Sequence, residues 1–351
     1  MTQAKDQTAQ YSTNVNTARS ALALNDSVLS QVTDLLHSVR TLAINGGNAS
    51  LNNNDRGSIA TDIAGQLQQL IGLANSKDGN GGFLFSGFQV NTQPFVSIAT
   101  GVLYNGDQGQ QQLQVAPARA LAISENGSAI FEQVKNGNGI FLANAAATNG
   151  GSGVISAGQV VSPSAITGDT YQIQFSVAGG ITTYDVIDTT TSSTVSTGNA
   201  YTDGAAIAVA GMQVTISGAP ASGDTFTLAP SSHQSIFTTV QNLIATLQTQ
   251  VSGANGAATV ANGISTALQN LDQALETVLT TRAGIGAHLR ELDALAAGND
   301  DRTTQYQQTL SQLQDLDYNK ALSDFARQQL ALEAAQKSFA HVSGLSLFNY
   351  L

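Results

Sequence analysis

Apolar residues recur at alternating three- and four-residue intervals near both ends of this chain, a spacing typical of amphipathic helices. The repeat has the period of a coiled-coil seam, which a helix cannot bury without a partner. We therefore expect the two ends to pair as a long antiparallel bundle, with any further apolar stripe left for partner subunits. The two stripes are Leu22, Leu29, Val32, Leu36, Val39 and Ala43 near the N-terminus, and Ile264, Leu268, Leu271, Leu275, Val278, Ile285, Leu289 and Leu292 in the C-terminal part.

The first part of this helical core domain is predicted over residues 1–140. Helices are expected over about 5–45 and 55–77 from the apolar spacing, with a pair of glycines ending the first and Asp55 capping the second. Short apolar runs separated by Asn-Gly and similar turns then predict a β-hairpin region over 83–135.

An inserted all-β domain is predicted over 141–232, where the composition shifts to Thr, Ser, Val and Gly. Apolar and polar residues alternate there with period two, as in Tyr171–Phe175 and Gln213–Ile216. We expect this domain to fold alone. The fold class is therefore α+β, with a helical bundle formed by the two ends and a β domain between them.

The chain returns to helical sequence over 233–351, the second part of the helical core domain. The apolar stripe slips in phase near residues 315–318 and resumes at Leu322. A slip of this kind indicates a stutter or a change of packing partner.

Composition and charge exclude several functions. Only 11% of the residues are charged, and the net charge is −11. A phosphate backbone selects for clusters of Lys and Arg, and none occurs here, so neither nucleic acid nor an anionic membrane is an expected partner. The chain has no cysteine, no apolar segment at its N-terminus and no run of about eighteen apolar residues, which predicts neither a cleaved signal peptide nor a spanning helix. Absence of cysteine also suits export of an unfolded chain, although many proteins simply lack it.

No motif in the sequence predicts catalysis, a cofactor or a metal. The four histidines, His37, His233, His288 and His341, lack the spacing of metal ligands. Asp78 and Asn80 lie in a glycine-rich loop without the other ligands of a calcium loop. The glycine clusters lack the order of a phosphate-binding loop, and no serine lies in a nucleophile-elbow pattern. We therefore interpret the chain as a non-enzyme.

Arg282 occupies a core position of the C-terminal stripe, between Val278 and Ile285. An unpaired charge is costly there, so Arg282 needs an acidic partner or a path to solvent. Gly284 and Gly286 follow it closely. Glycine disfavours a helix interior, so these residues indicate either close approach of another helix or a local kink.

Several short motifs, taken together and in this order, resemble the flagellin superfamily and, within it, the family of hook-filament junction proteins. The match covers nearly the whole chain and is weakest in the β insertion. The motifs are Val39–Ala43, Gly82–Gly87, Tyr104–Asp107, Arg282–Ala287, Asp315–Tyr318 with Ala321, and Leu345–Leu351.

The resemblance implies an extracellular structural protein that is exported by the flagellar type III apparatus and assembles between hook and filament. Implied partners are further copies of the chain in a ring, a hook-side junction protein, flagellin and an export chaperone. Members of the family carry a further N-terminal segment that pairs with the last C-terminal helix. We expect that segment to be missing, so that the chain is N-terminally truncated and residues 322–351 lack their partner and are frayed or disordered.

The residues we expect to contribute to subunit packing come from both helical ends and from the terminal core. For Arg40, Leu42, Arg282 and Gly286 an entirely intramolecular role is an open alternative. In flagellins the region around the residue that matches Arg40 is associated with recognition by an innate immune receptor. Thr41 stands where flagellins usually carry Glu, so recognition of this chain by such a receptor is left as an open alternative. The expected packing residues are Arg40, Leu42, Arg282, Gly286, Asp317, Tyr318, Leu347 and Phe348.

Two other functions fit the same sequence. The chain could be a flagellin that forms filaments, which growth of long homopolymers would reveal. It could also be a surface adhesin or antigen that acts through the β domain, in which case cell or glycan binding would reside in that domain alone.

Overall fold

Long helices form both ends of the chain in a computed structural model that describes residues 1–314 and 317–344. A β region lies between the helical ends, which confirms the predicted α+β class. The helices are α1 (Thr2–Gly46), α2 (Asn53–Ala74), α3 (Gly127–Phe131), α4 (Ile236–Gln248), α5 (Gly253–Gln314) and α6 (Tyr318–Gly344). Within the described ranges, no helix has the length and apolar character needed to cross a membrane.

Side chains at the N-termini of two helices explain where those helices begin. Asn52 caps α2, because its side chain accepts hydrogen bonds from the backbone N–H of Asn54 and Asp55. The prediction that Asp55 caps this helix is therefore wrong. Asp55 is instead the third helical residue, and its carboxylate accepts the Asn52 N–H at 3.3 Å. This reciprocal pairing is a capping box, which requires both residues three positions apart. Ser235 caps α4 in a similar way through the Thr238 N–H.

Most of the strands are short and antiparallel. They are β1 (Phe95–Ile98), β2 (Gly101–Tyr104), β3 (Gln112–Ala116), β4 (Arg119–Ala122), β5 (Val134–Lys135), β6 (Phe141–Ala145), β7 (Val154–Ile155), β8 (Gln159–Val160), β9 (Tyr171–Ala178), β10 (Ile181–Asp188), β11 (Ser193–Ala200), β12 (Ala206–Val209), β13 (Met212–Ser217), β14 (Thr225–Pro230) and β15 (His233–Gln234). A 3-10 turn covers Pro163–Ala165.

Two sheets form the β domain between β6 and β14. One sheet has the strand order β11-β10-β9-β14-β6, and the other has β12-β13-β7, with β8 also paired to β13. In β9 the residues Tyr171, Ile173 and Phe175 are buried while their neighbours are more exposed, as expected for a half-buried strand. Residues of both sheets, such as Phe226 and Val214, belong to one hydrophobic core.

The β domain belongs to the same compact unit as most of the paired helices, a unit that extends over Asn14–Ala294. It contacts α5 directly through buried hydrogen bonds, described below. Folding of this domain on its own therefore stays a prediction. An isolated β domain would lose its hydrogen bonds to α5.

A second compact unit comprises Met1–Thr13 and the chain from Leu295 onward. Within it, the disorder expected over 322–351 does not match the part that the structure describes, because residues 318–344 form α6. The sequence of α6 is rich in Ala, Leu, Gln and Lys, which favour helices without tertiary contacts. Every residue of α6 is described, and none is buried. The rest of the expected disordered segment lies outside the described residues.

Asp107 organises the turn that follows β2. Its Oδ1 atom accepts hydrogen bonds from the backbone N–H of Phe88 at 2.9 Å and of Gly109 at 2.7 Å. These bonds hold the pKa of Asp107 below its ordinary value. The Tyr104 hydroxyl donates to the Asp107 carbonyl at 2.7 Å, and burial raises the pKa of Tyr104 to about 12.

The hydrogen bonds to Asp107 predict acid sensitivity. A carboxyl whose pKa is lowered by folding stabilises the protein above its unfolded pKa of about 3.9, and this contribution is lost as the pH falls through the folded value. We therefore expect Asp107→Asn to lower the free energy of unfolding near neutral pH and to have a smaller effect near pH 3. Urea unfolding of both proteins at the two pH values measures this. An equal difference at both would contradict the role of the charge.

Candidate helix-pairing and subunit-contact surface

The apolar stripes of α1 and α5 are buried against the rest of the protein, as the spacing predicted. Leu268 and Leu289 are the two members that stay half-buried. The remaining members of the stripes are buried: Leu22, Leu29, Val32, Leu36, Val39, Ala43, Ile264, Leu271, Leu275, Val278, Ile285 and Leu292.

Ion pairs between α1 and α5 show that the two helices run antiparallel. Arg40 Nε donates to Asp272 Oδ1 at 2.7 Å, and Arg19 Nη2 donates to Asp293 Oδ1 at 2.6 Å. The two arginines are 21 residues apart along α1, and the two aspartates are 21 residues apart along α5. Three heptads therefore separate the two ion pairs on both helices. Each helix thus presents the same side to its partner at both ion pairs. The hydrogen bond to Asp272 raises the pKa of Arg40.

Arg282 has the acidic partner that its core position required. Its Nε atom donates to Asp26 Oδ1 at 2.9 Å, and the two side chains are 26% and 39% exposed. The pair lies at the edge of the helix interface and not in a dry core. Exposed ion pairs contribute about 0–1 kcal/mol, so this contact adds little to stability.

Gly286 lies one turn after Arg282 on α5, in a position that is open. A Cβ atom at Gly284 or Gly286 would meet no described atom within 4 Å, apart from the backbone of its own helix. No described part of the chain outside α5 makes the close approach that these glycines would permit, so close approach of a helix from another subunit stays a prediction. The helix α5 is also continuous through them. Leu42, on α1, is half-buried.

Asp317 and Tyr318 lie at the start of α6, in the second compact unit. Asp317 acts as a cap: its Oδ1 accepts the Lys320 N–H at 3.1 Å and its carbonyl accepts the Ala321 N–H at 2.8 Å. The Tyr318 side chain is 74% exposed. The other expected residues of the terminal core, Leu347 and Phe348, lie outside the described residues.

Two asparagines of α5 attach this helix to the β region, and the sequence reasoning missed both. Asn262 accepts the Ile155 N–H at 2.9 Å and donates to the Gly153 carbonyl at 3.0 Å. Asn270 accepts the Gly137 N–H at 2.7 Å. Both are buried. The sequence does contain a signal for both, since each is a polar residue on an otherwise apolar helix face. A buried amide requires hydrogen-bond partners, so such a position predicts a contact with another segment.

A bidentate ion pair, also missed, connects α5 to β4. Arg119 Nε and Nη2 donate to Glu291 Oε1 and Oε2 at 2.5 and 2.8 Å. The hydrogen bond from Arg119 lowers the pKa of Glu291. The two ends of this pair are 172 residues apart in the chain, so no local pattern could have predicted it.

His37, His233 and His341 are exposed, His288 is half-buried, and the loop around Asp78 has a structural role. Asp78 Oδ1 accepts the backbone N–H of Asn80 and of Gly82, both at 2.8 Å, and so closes a turn. Among the residues that the structure describes, no three side chains of His, Asp or Glu are placed to hold a metal ion.

Two chain ends that pair as long antiparallel helices, with a β domain between them, define a helical assembly protein of the flagellin type. Consistent with this class, the family described as "Bacterial flagellin N-terminal helical region" matches residues 1–90. Flagellar hook-associated protein 3 of Escherichia coli K12 is 28% identical over 349 residues, which cover 99% of this chain and 83% of that protein.

Solved structures narrow the class to one family. FlgL from Xanthomonas campestris has 33% identity and a TM-score of 0.82, covering 89% of this chain and all of that one. The flagellar junction protein FlgL from Legionella pneumophila has 30% identity and a TM-score of 0.80, covering 86% and 94%. This chain belongs to the family of FlgL, the flagellar hook-associated protein 3.

Proposed function

We propose that this chain is a structural adaptor at the junction between the flagellar hook and filament. The observation that carries the proposal is helix α6, whose apolar residues are not covered by any other residue that the structure describes. Leu322, Phe325, Leu332 and Phe339 are each at least 60% exposed. Exposed apolar side chains in such number mark a surface that another chain buries. Family membership supports the same function.

In this proposal the chain assembles with further copies of itself and contacts a hook-side junction protein and flagellin. An export chaperone holds it before secretion through the flagellar apparatus. Within Asn14–Ala294, the apolar stripes and ion pairs of α1 and α5 are satisfied inside the subunit. Surfaces that stay open, such as the glycines of α5 and the apolar face of α6, are left for these partners.

Complementation of motility tests the proposed function. The gene for this protein, expressed in cells that lack their own junction protein, should restore swimming and filament attachment. Growth of long filaments from the purified full-length protein alone would contradict the adaptor function and favour a flagellin. Binding of host cells by the isolated β domain would favour an adhesin.

Replacing Gly284 and Gly286 with alanine should separate stability from assembly. Each change should raise the free energy of unfolding by about 1 kcal/mol, because alanine favours a helix interior and the positions are open. We expect motility to fall at the same time, since the new methyl groups would stand where a neighbouring subunit packs. Thermal unfolding and swimming assays in the full-length protein measure the two effects.

Gly65→Ala in α2 is the matched control, because a Cβ atom there also meets nothing within 4 Å. It should stabilise the protein without a loss of motility. Normal swimming by the Gly284→Ala, Gly286→Ala double variant would show that these positions are not a subunit contact.

A further inference from the structure

The chain contains nine Asn-Gly dipeptides, a sequence that is chemically labile. An asparagine followed by glycine can form a succinimide, because the glycine nitrogen attacks the asparagine side chain and glycine has no Cβ to hinder it. The fold decides which of the nine can react. Their asparagines are Asn45, Asn80, Asn105, Asn126, Asn136, Asn138, Asn149, Asn255 and Asn262.

Six of these asparagines are held by the fold. Asn45 lies in the last turn of helix α1, and a Cβ atom at the following Gly46 would lie 2.5 Å from Leu247 Cδ2, so the backbone there is packed and cannot turn freely. The other five have side chains bonded to backbone groups or to other side chains. For example, Asn149 donates to the Thr225 carbonyl and accepts the Thr225 N–H, both at 2.9 Å. The five are Asn126, Asn136, Asn138, Asn149 and Asn262.

Two further sites are constrained through their glycines. A Cβ atom at Gly106 would lie 2.5 Å from the Tyr104 hydroxyl oxygen, so the backbone after Asn105 is packed and cannot turn freely. Asn255 lies in the first turn of α5, where its Oδ1 accepts the Gly256 N–H at 2.8 Å. Reaction there requires the end of a long helix to unwind.

Asn80 differs from all the others. It is exposed in the turn between α2 and the segment that begins at Phe83, and its side chain makes no hydrogen bond to a described residue. Gly81 has a φ of +90° and open space around it. The Gly81 N–H donates only one bond, to the Asp78 carbonyl at 3.2 Å, at the long end of the usual range.

We propose that Asn80 is a site of spontaneous deamidation and converts to a mixture of aspartate and isoaspartate. The backbone nitrogen of Gly81 forms a bond to Cγ of Asn80, and the bond from Cγ to Nδ2 breaks. The nitrogen leaves as ammonia, which takes up the proton lost from Gly81. Water then opens the succinimide at either of its carbonyl carbons. The net reaction consumes one water, releases one ammonia and adds one negative charge, without an oxidant or an enzyme.

The product alters the turn that Asp78 closes. Asp78 Oδ1 accepts two N–H groups, from Asn80 and Gly82, whose spacing fits a normal backbone. Isoaspartate adds a methylene to the main chain between those donors, so one of the two bonds is lost. The new carboxylate also lies two residues from Asp78, and like charges at that separation repel. This modification therefore loosens the loop between α2 and Phe83 as the protein ages, whatever the function of the chain.

Peptide mapping of aged protein tests the proposal. The whole chain is incubated at physiological pH and temperature and then digested with trypsin, which releases Asp78–Arg119 as one peptide. Fragmentation assigns each conversion to Asn80 or Asn105 within that peptide. We expect Asn80 to convert at least about tenfold faster than each of the other eight sites, a ratio equivalent to about 1.4 kcal/mol of protection. The rate should rise with pH, because Gly81 must lose its amide proton.

Two variants and one unfolded sample complete the experiment. Asn80→Gln should abolish the fast conversion, whereas the matched variant Asn105→Gln should leave it unchanged. In concentrated urea the nine sites should converge in rate, because only the fold separates them. Conversion of Asn80 no faster than that of buried Asn262, or the same ranking of sites in urea, would overturn the proposal.

Discussion

Asn262→Ala is expected to lower the free energy of unfolding by about 2–4 kcal/mol, because it removes both hydrogen bonds between α5 and the β domain. The Ile155 N–H and the Gly153 carbonyl would be left without partners in a buried site. Each such group costs about 1–3 kcal/mol. The alanine would recover only a few tenths of this through its helix propensity.

Urea unfolding measures this loss, and hydrogen exchange at the Ile155 amide locates it. Asn255→Ala is the matched control on the same helix. Asn255 is exposed, and among the described residues its side chain bonds only to the residue that follows it. That variant should change stability by less than about 0.5 kcal/mol. An Asn262→Ala protein as stable as the control would show that the β domain does not depend on this contact.

The result bears on how the β domain is held. If it were attached only by its two connecting segments, its orientation on the helices would be free. The side chains of Asn262 and Asn270, two turns apart on α5, instead bond to backbone on the two segments Gly153–Ile155 and Gly137. Asparagine can donate and accept at once, so Asn262 pairs with the β7 segment much as a neighbouring strand would.

The sequence predicted what depends on local periodicity. Residues such as Leu36 and Val278 recur with a helical period, and that period directly identifies the buried face of α1 and α5. The alternation around Ile173 identified strands for the same reason. The class of fold followed, because two long amphipathic ends around a β segment have few ways to bury their stripes.

What the sequence could not predict depends on pairing across long separations. Arg282 clearly needed an acidic partner, but choosing Asp26 requires the antiparallel register, which a single stripe does not fix. Arg119 and Glu291 raise the same difficulty. The cap at Asn52 was missed for a local reason, since Asp55 is an equally good capping residue and only the geometry decides between them. In α6 the absence of a packing partner was mistaken for absence of a helix.

Phe131→Ala is expected to have the largest effect on stability, a loss of about 3–5 kcal/mol. Phe131 is fully buried in α3, and its ring contacts those of Phe85, Phe95 and Phe237 at centroid distances of 5.4, 5.2 and 5.8 Å. Truncation would remove one large side chain from the centre of this aromatic cluster. The three remaining rings come from separate segments, so they cannot close the cavity without moving backbone.

Phe88→Ala controls for the loss of a ring, because Phe88 is 65% exposed and lies near the same segment. It should cost far less than Phe131→Ala in the same urea titration. Phe131→Leu provides a second variant in case the alanine protein does not fold, and its smaller cavity should give an intermediate loss. Phe131 contacts Phe237 of α4 and Phe85 of the Gly82–Gly87 motif. If neither Phe131→Leu nor Phe88→Ala changed the free energy of unfolding, the aromatic cluster would not be what joins α4 to this motif. A graded loss would show that this motif is maintained by packing, through Phe85, and requires no ligand to explain it.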